Sequence, residues 1–221
     1  MQRNGVIRVP DLVKDLKEKA KQIGKTIVLP ETEDERVLRA TEIILDEGIA
    51  KVALVGNETE LKERASKLGI SIEGAVIYDP NNCSTIDDMA ELLRKRREKK
   101  GMTFETAKAT LLSDPRFFGA MLVSQGRVDG MVAGSNSPTS QVLRAAILVI
   151  GPKEGLKTIS GSFVMITNTP EFGDNGVFVY YDGGAYMKSE FKQYKDHENV
   201  WHLHLACEDD MQYTFKKTWM A

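Results

Sequence analysis

Residues 11–134 alternate stretches whose apolar positions recur at helical spacing with short unbroken apolar runs. Residues 11–23 place Leu12, Leu16, Ala20 and Ile23 on one helical face, starting beside Pro10 and stopping at Gly24. The run 26–29 has the length and texture of a buried strand. A helix over 33–47 turns Val37, Ala40, Ile44 and Leu45 inward and ends at Gly48. The same alternation predicts a strand at 52–55, a helix at 58–68 and a strand at 75–78. Ser84 and Thr85, three residues ahead of Asp87 and Asp88, predict a capping box for a helix running to about residue 98. Helices over 103–112 and 114–123 follow, then a strand at 130–134 and a further helix that carries Arg144.

Strands alternating with amphipathic helices imply right-handed crossovers, and so an α/β fold with a doubly wound, mostly parallel sheet. Such sheets bind ligands beyond the carboxyl ends of their strands. The junction at 129–144 lies at that edge. Its strand empties into Ser135, Asn136, Ser137, Thr139 and Ser140, and a helix with Arg144 about one turn inside follows. Unpaired N–H groups at a helix start, together with the helix dipole, favour an anion, phosphate above all. A guanidinium one turn on is placed to grip the same anion in bidentate fashion. The alternative is plain capping of the helix by the hydroxyls. The junction has neither G-x-G-x-x-G nor G-K-[ST], so it is no nucleotide fingerprint. Residues 30–34 follow the first strand at the same edge. Glu31, Glu33 and Asp34 there read as complements to a helix dipole and stay outside the predicted site.

Beyond residue 155 the texture changes. A strand is expected at 158–166, and D-N-G at 174–176 within 172–181 signals a hairpin, the start of a second unit. Residues 180–221 hold both tryptophans, all three histidines and Tyr180, Tyr181, Tyr186, Tyr194 and Tyr213, with poor hydrophobic periodicity. So sharp a shift suggests a fusion, a frameshifted reading or a foreign end. The reading divides the chain into a first α/β domain at 1–150, the start of a second at 151–182 and an atypical tail at 183–221.

Charge and cysteine content narrow the function. A net charge of −2 argues against nucleic-acid binding by broad phosphate neutralisation. The basic run 94–100 reads as a solvated helix end. Cys83 and Cys207 are far apart and form no disulfide framework, and no apolar segment serves as a signal or membrane span. A cytoplasmic protein is expected. His197, His202, His204 and Cys207 fit no common zinc spacing, so no metal is predicted.

Several motifs in order carry a resemblance: I-V-L-P-E-T-E-D-E-R-V-L-R-A at 27–40, V-A-L-V-G-N at 52–57 and R-R-E-K-K-G-M-T at 96–103. D-P-R-F-F-G-A-M at 114–121, V-D-G-M-V-A-G at 128–134, V-L-R at 142–144 and P-E-F-G-D-N-G-V-F-V at 170–179 complete it. Across about residues 10–182 the chain resembles the phosphate acetyl/butyryltransferase family. That resemblance implies reversible acetyl transfer between acetyl phosphate and coenzyme A, giving acetyl-CoA and inorganic phosphate. It also implies two α/β domains of the isocitrate/isopropylmalate dehydrogenase-like kind, the first built from both chain ends. Coenzyme A is then a substrate, no cofactor is tightly bound, and a homodimer is the implied assembly.

By the same resemblance, Arg144 matches a substrate-binding arginine and Arg97 a second arginine for phosphate or coenzyme. Thr139 and Ser140 match hydroxyl positions of the loop. Ala145 stands where many members have proline, and Pro138 where many have a small polar residue. The family's S-R-G-x-S/D region, which supplies a proposed base for the coenzyme thiol, has no counterpart here. The sequence therefore assigns substrate-binding residues but no catalytic one, and predicts a truncated acyltransferase. A non-catalytic phosphate- or coenzyme A-binding fragment and a butyryl-specific enzyme are the alternatives.

Overall fold

The computed structural model describes residues 9–152 and, beyond them, the strand segments 161–166, 177–182, 190–195, 201–206 and 212–217. Two compact units emerge, Lys17–Pro152 on one side and Met1–Leu16 with Lys153–Ala221 on the other.

The unit Lys17–Pro152 is built on a parallel sheet of β1 (Thr26–Leu29), β2 (Lys51–Val55), β3 (Val76–Tyr78) and β4 (Gly130–Met131), in the order β3-β2-β1-β4. Register is set by Val28 opposite both Ala53 and Met131, and by Leu54 opposite Ile77. Helix α1 (Val9–Ile23) precedes β1; α2 (Glu35–Asp46) and α3 (Glu58–Lys67) make the next two crossovers. Between β3 and β4 lie α4 (Ile86–Arg97), α5 (Phe104–Ser113) and α6 (Pro115–Ser124). After β4 come α7 (Thr139–Ala145) and a π-helical turn over Ala146–Ile150. The α/β, mostly parallel architecture read from the sequence is the one observed.

Alternate strand residues face opposite ways, so a sheet covered on both sides needs continuous apolar strands. Leu29, Val52 and Leu54 pack with Leu38 of α2 and Leu61 and Ala65 of α3. Val28, Ala53 and Val55 pack on the other face with Met89, Leu93, Leu111, Phe118 and Met121. Helix α6 is buried from Phe117 through Leu122, which explains its nearly unbroken apolar sequence. Gly119 lets it approach the sheet: a Cβ there would lie 3.1 Å from Met131 Sδ and 3.3 Å from Pro30 Cβ.

Two expectations change. The strand predicted over 130–134 pairs with β1 only through Gly130 and Met131, flanked by backbone bonds from Asp129 and Val132. The chain then turns away at Gly134, whose φ of 110° suits glycine. The capping box before α4 does not form. Thr85 is the N-cap but makes no side-chain cap; its hydroxyl instead accepts from Arg127 Nη2 at 2.6 Å. In the tail, whose structure the sequence left open, β7 (Glu190–Lys195), β8 (Trp201–Ala206) and β9 (Gln212–Lys217) form an antiparallel sheet. In the same unit β5 (Gly161–Ile166) pairs antiparallel with β6 (Val177–Asp182). The hairpin signal at 174–176 lies outside the described residues.

Candidate functional site

The loop between β4 and α7 stands at the carboxyl edge of the sheet, beside the loop that follows β1. Helices leave β1 and β4 toward opposite faces, so this is where a doubly wound sheet opens its crevice. Glu31 fills that crevice. It is 1 % exposed, and its Oε2 accepts from the N–H of Gly134 at 2.5 Å and of Ser135 at 2.8 Å, and from the Ser135 hydroxyl at 3.2 Å. Oε1 makes none of the geometrically complete hydrogen bonds formed among the described residues. Burial pushes the carboxyl pKa up, but the Ser137 hydroxyl and the Gly134 and Ser135 donors outweigh it and hold the pKa below its ordinary value.

Two arginines fasten the rest of the loop. Arg36 binds Asp34 through Nε and Nη2 and donates from Nη2 to the Ser135 carbonyl at 2.6 Å. Arg116 forks onto Asp114 at 2.8 and 2.9 Å. Its remaining nitrogen donates to Ser137 Oγ at 2.6 Å and to Gln141 Oε1. Asp114 raises the Arg116 pKa, against the opposing effect of burial. These bidentate pairs have the geometry of strong charge-assisted bonds, so the loop is set from three directions before any ligand arrives.

Of the residues predicted from sequence, Thr139 and Ser140 open α7, and all three of Thr139, Ser140 and Arg144 are exposed on that one segment. The N-cap is Pro138, which offers no side-chain acceptor. Simple capping by the hydroxyls is therefore not what the structure contains, and the first-turn N–H groups have no side-chain cap. Arg144 enters none of the ion pairs formed among the described residues, unlike Arg36 and Arg116. Arg97, the last residue of α4, lines a separate cavity of about 280 Å³ with Arg96 and residues 147–151. Arg144 is not among the residues that line that cavity.

Sequence reasoning left out Glu31, Arg36 and Arg116. The only local signal was the adjacency of Asp34 to Arg36 and of Asp114 to Arg116, ion pairs two residues apart. An apolar cavity of about 380 Å³, lined by Ile27, Leu29, Val37, Ile44 and Val132, opens beside Glu31. Glu31, Arg36 and Ser135 also line it. Among the described residues no group of histidines, cysteines and carboxylates suits a metal ion. The His197, His202, His204 and Cys207 set lies outside the described side chains. No helix among the described residues is long and apolar enough to cross a membrane.

Against this geometry, the model of the phosphate acetyl/butaryl transferase family matches residues 11–194. The chain belongs to that family. A phosphate acetyltransferase of Acetivibrio thermocellus is 45% identical over 167 residues, covering 76% of this chain and 49% of the relative. One from Thermoanaerobacterium thermosaccharolyticum is 39% identical over 171 residues, covering 77% and 51%. A solved phosphotransacetylase from Streptococcus pyogenes superposes with a TM-score of 0.70 at 32% identity, covering 78% of this chain and 51% of that one. The chain spans about half the length of the curated relatives it matches. The family match also embraces every motif quoted above on sequence grounds.

Proposed function

We propose that the chain carries the phosphate-binding part of an acyltransferase that moves acetyl groups between acetyl phosphate and coenzyme A. The observation that carries this reading is the pre-set loop at the carboxyl edge of the sheet, ending in Thr139, Ser140 and Arg144. Thr139 and Ser140 donate hydroxyls and first-turn N–H groups to the phosphoryl oxygens, and Arg144 binds them in bidentate fashion. In the forward reaction the coenzyme thiolate attacks the acetyl carbonyl. The carbon–oxygen bond to phosphate then breaks, and phosphate leaves with the electron pair. Positive charge held at the phosphate stabilises that departure. Arg97 takes a second anionic group of the substrates. The thiol proton needs an acceptor, since an unperturbed thiol has a pKa of about 8.5. No residue of the chain is assigned that role.

The remaining expectations belong to the same proposal: coenzyme A as a substrate, no tightly bound cofactor or metal, a cytoplasmic homodimer, and domains at 1–150 and 151–182 followed by a distinct tail. Phosphate titration by calorimetry, in the chain and in Arg144→Ala, tests the site. Loss of that grip weakens phosphate binding by about tenfold or more while leaving the melting temperature unchanged. Equal affinity in the two proteins would remove Arg144 from the site.

A second reading is a binding module without turnover, since no residue of the chain is assigned to take the thiol proton. Thioester formation from acetyl phosphate and coenzyme A, followed by thiol consumption, separates the two. Phosphate binding without thiol consumption identifies the module. Butyryl phosphate in the same assay decides the acyl preference.

A further inference from the structure

Glu31 has no part in the phosphate grip just described, yet it is the most deeply buried acid of the chain's described residues. A buried carboxylate costs far more than a neutral acceptor, and a neutral side-chain or backbone oxygen would satisfy the Gly134 and Ser135 N–H groups equally well. The charge therefore needs an explanation beyond hydrogen-bond satisfaction. Successive N–H groups converging on one point form an anion nest, and the nest at Gly134 and Ser135 is aimed into the sheet's crevice. In this chain the anion in the nest is the protein's own carboxylate.

The geometry points to Glu31 as a specificity-determining residue: by filling the Gly134–Ser135 nest from within, it confines a bound phosphoryl group to the Thr139–Ser140 end of the loop. The inference deepens the phosphate-site reading and rests on it for the identity of the ligand. Two effects act together. The N–H pair is occupied at 2.5 and 2.8 Å, and a second anion there would face a like charge in a poorly solvated place. Farther along, cationic side chains stand beside the loop. Arg116 donates to Ser137 Oγ, and Arg144 follows on α7. The charged groups around Glu31 are Glu33 and Asp34 on its own loop, Arg36 of α2, and Arg116 of α6 with its partner Asp114. Arg36 and Arg116 are each committed to one of these aspartates, which leaves Glu31 itself to answer the two N–H groups.

Amide resonances of the 221-residue chain, titrated with inorganic phosphate at neutral pH, test the assignment. In the wild type the Thr139 and Ser140 amides shift with saturation, while those of Gly134 and Ser135 stay fixed. In Glu31→Ala the Gly134 and Ser135 amides also respond. Wild-type shifts at Gly134 and Ser135, or their silence in folded Glu31→Ala, would overturn the role of Glu31. A wild type with no phosphate response anywhere removes the phosphate-site reading instead, and Glu31→Ala still shows whether the vacated nest accepts the ion. Should Glu31→Ala fail to fold, a pH titration of the wild type against Glu31→Gln decides. The Gly134 and Ser135 amides follow a carboxyl titration below pH 4.5, the ordinary glutamate value, and in the glutamine variant that transition is gone. An unchanged transition in Glu31→Gln would assign it to another group and overturn the inference.

Discussion

Glu31 and Asp34 stand three residues apart and both titrate below their ordinary values, for different reasons. Asp34 is drawn down to about 2 by the Arg36 side chain and its backbone N–H, whereas in Glu31 the hydrogen bonds prevail over burial. A folded-state pKa below the unfolded one contributes stability that is complete above the unfolded value and is lost as pH falls through the folded value. For Asp34 that window runs from 3.8 down to about 2. Acid unfolding of Asp34→Asn, followed by circular dichroism, is expected to lack the part of the pH dependence that the wild type shows across this range. Superimposable profiles would contradict the pairing. Thr32 makes a quieter contribution. It is buried, and its hydroxyl donates to the Val55 carbonyl at 2.7 Å, tying the exits of β1 and β2. Thr32→Val leaves that carbonyl short of a partner and should cost about 1–2 kcal/mol in denaturant unfolding. None of this was legible in the sequence around residues 30–34. An acidic run before a helix reads as a dipole complement, and the partner that changes the meaning of Glu31 lies 103 positions away.

Helices and strands of the parallel sheet were legible because both faces are covered. Burial on two sides forces unbroken apolar strands, and amphipathic helices between them carry the 3.6-residue period. Element ends were less so. The strand expected over 130–134 stops after Met131 because Gly134 and Ser135 turn their N–H groups toward Glu31. Thr85 gives up the capping role expected of it to bind Arg127. Both outcomes depend on side chains remote in sequence, which periodicity does not see. The packing of α6 offers a direct measurement at this scale. Gly119→Ala pushes a methyl against Met131 Sδ and Pro30 Cβ, so overpacking should outweigh the gain in helix propensity and cost about 1–3 kcal/mol. A stabilised Gly119→Ala in thermal unfolding would mean that α6 does not approach β1 and β4 this closely.

Across the whole molecule, charge is nearly balanced, and most ion pairs among the described residues are exposed. Pairs such as Lys62 with Glu58 and Lys17 with Glu47 each contribute about 0–1 kcal/mol and are screened by salt. Raising sodium chloride to roughly 0.5 M, where the screening length is only a few ångströms, is expected to leave the melting temperature almost unmoved. The same salt should weaken phosphate binding, because an exposed arginine and an exposed anion feel that screening directly. Equal salt sensitivity of the two quantities would tell against a surface site around Arg144. Membership of the family was written across residues 11–194 in motifs whose order the fold explains, since most of them end strands or open helices at one edge of the sheet. The three-stranded tail was not read as a sheet, although Trp201, Leu203 and Leu205 of β8 alternate with His202 and His204 at the strand period.

The π-helical turn that follows α7 bears on how this chain tolerates insertions and deletions. A π turn holds one residue more than the α-helix it interrupts, and here it also presents the Val149 carbonyl to Arg96. Removing exposed Ile147 would let the segment relax to α-helical register. Later positions would then keep their facing, because the deletion removes the one residue that the π turn adds. A one-codon deletion at this place should therefore be tolerated better than one inside an uninterrupted α-helix, where every later position would rotate by about 100° around the axis, and Ile147→Ala, which keeps the count, should be nearly silent.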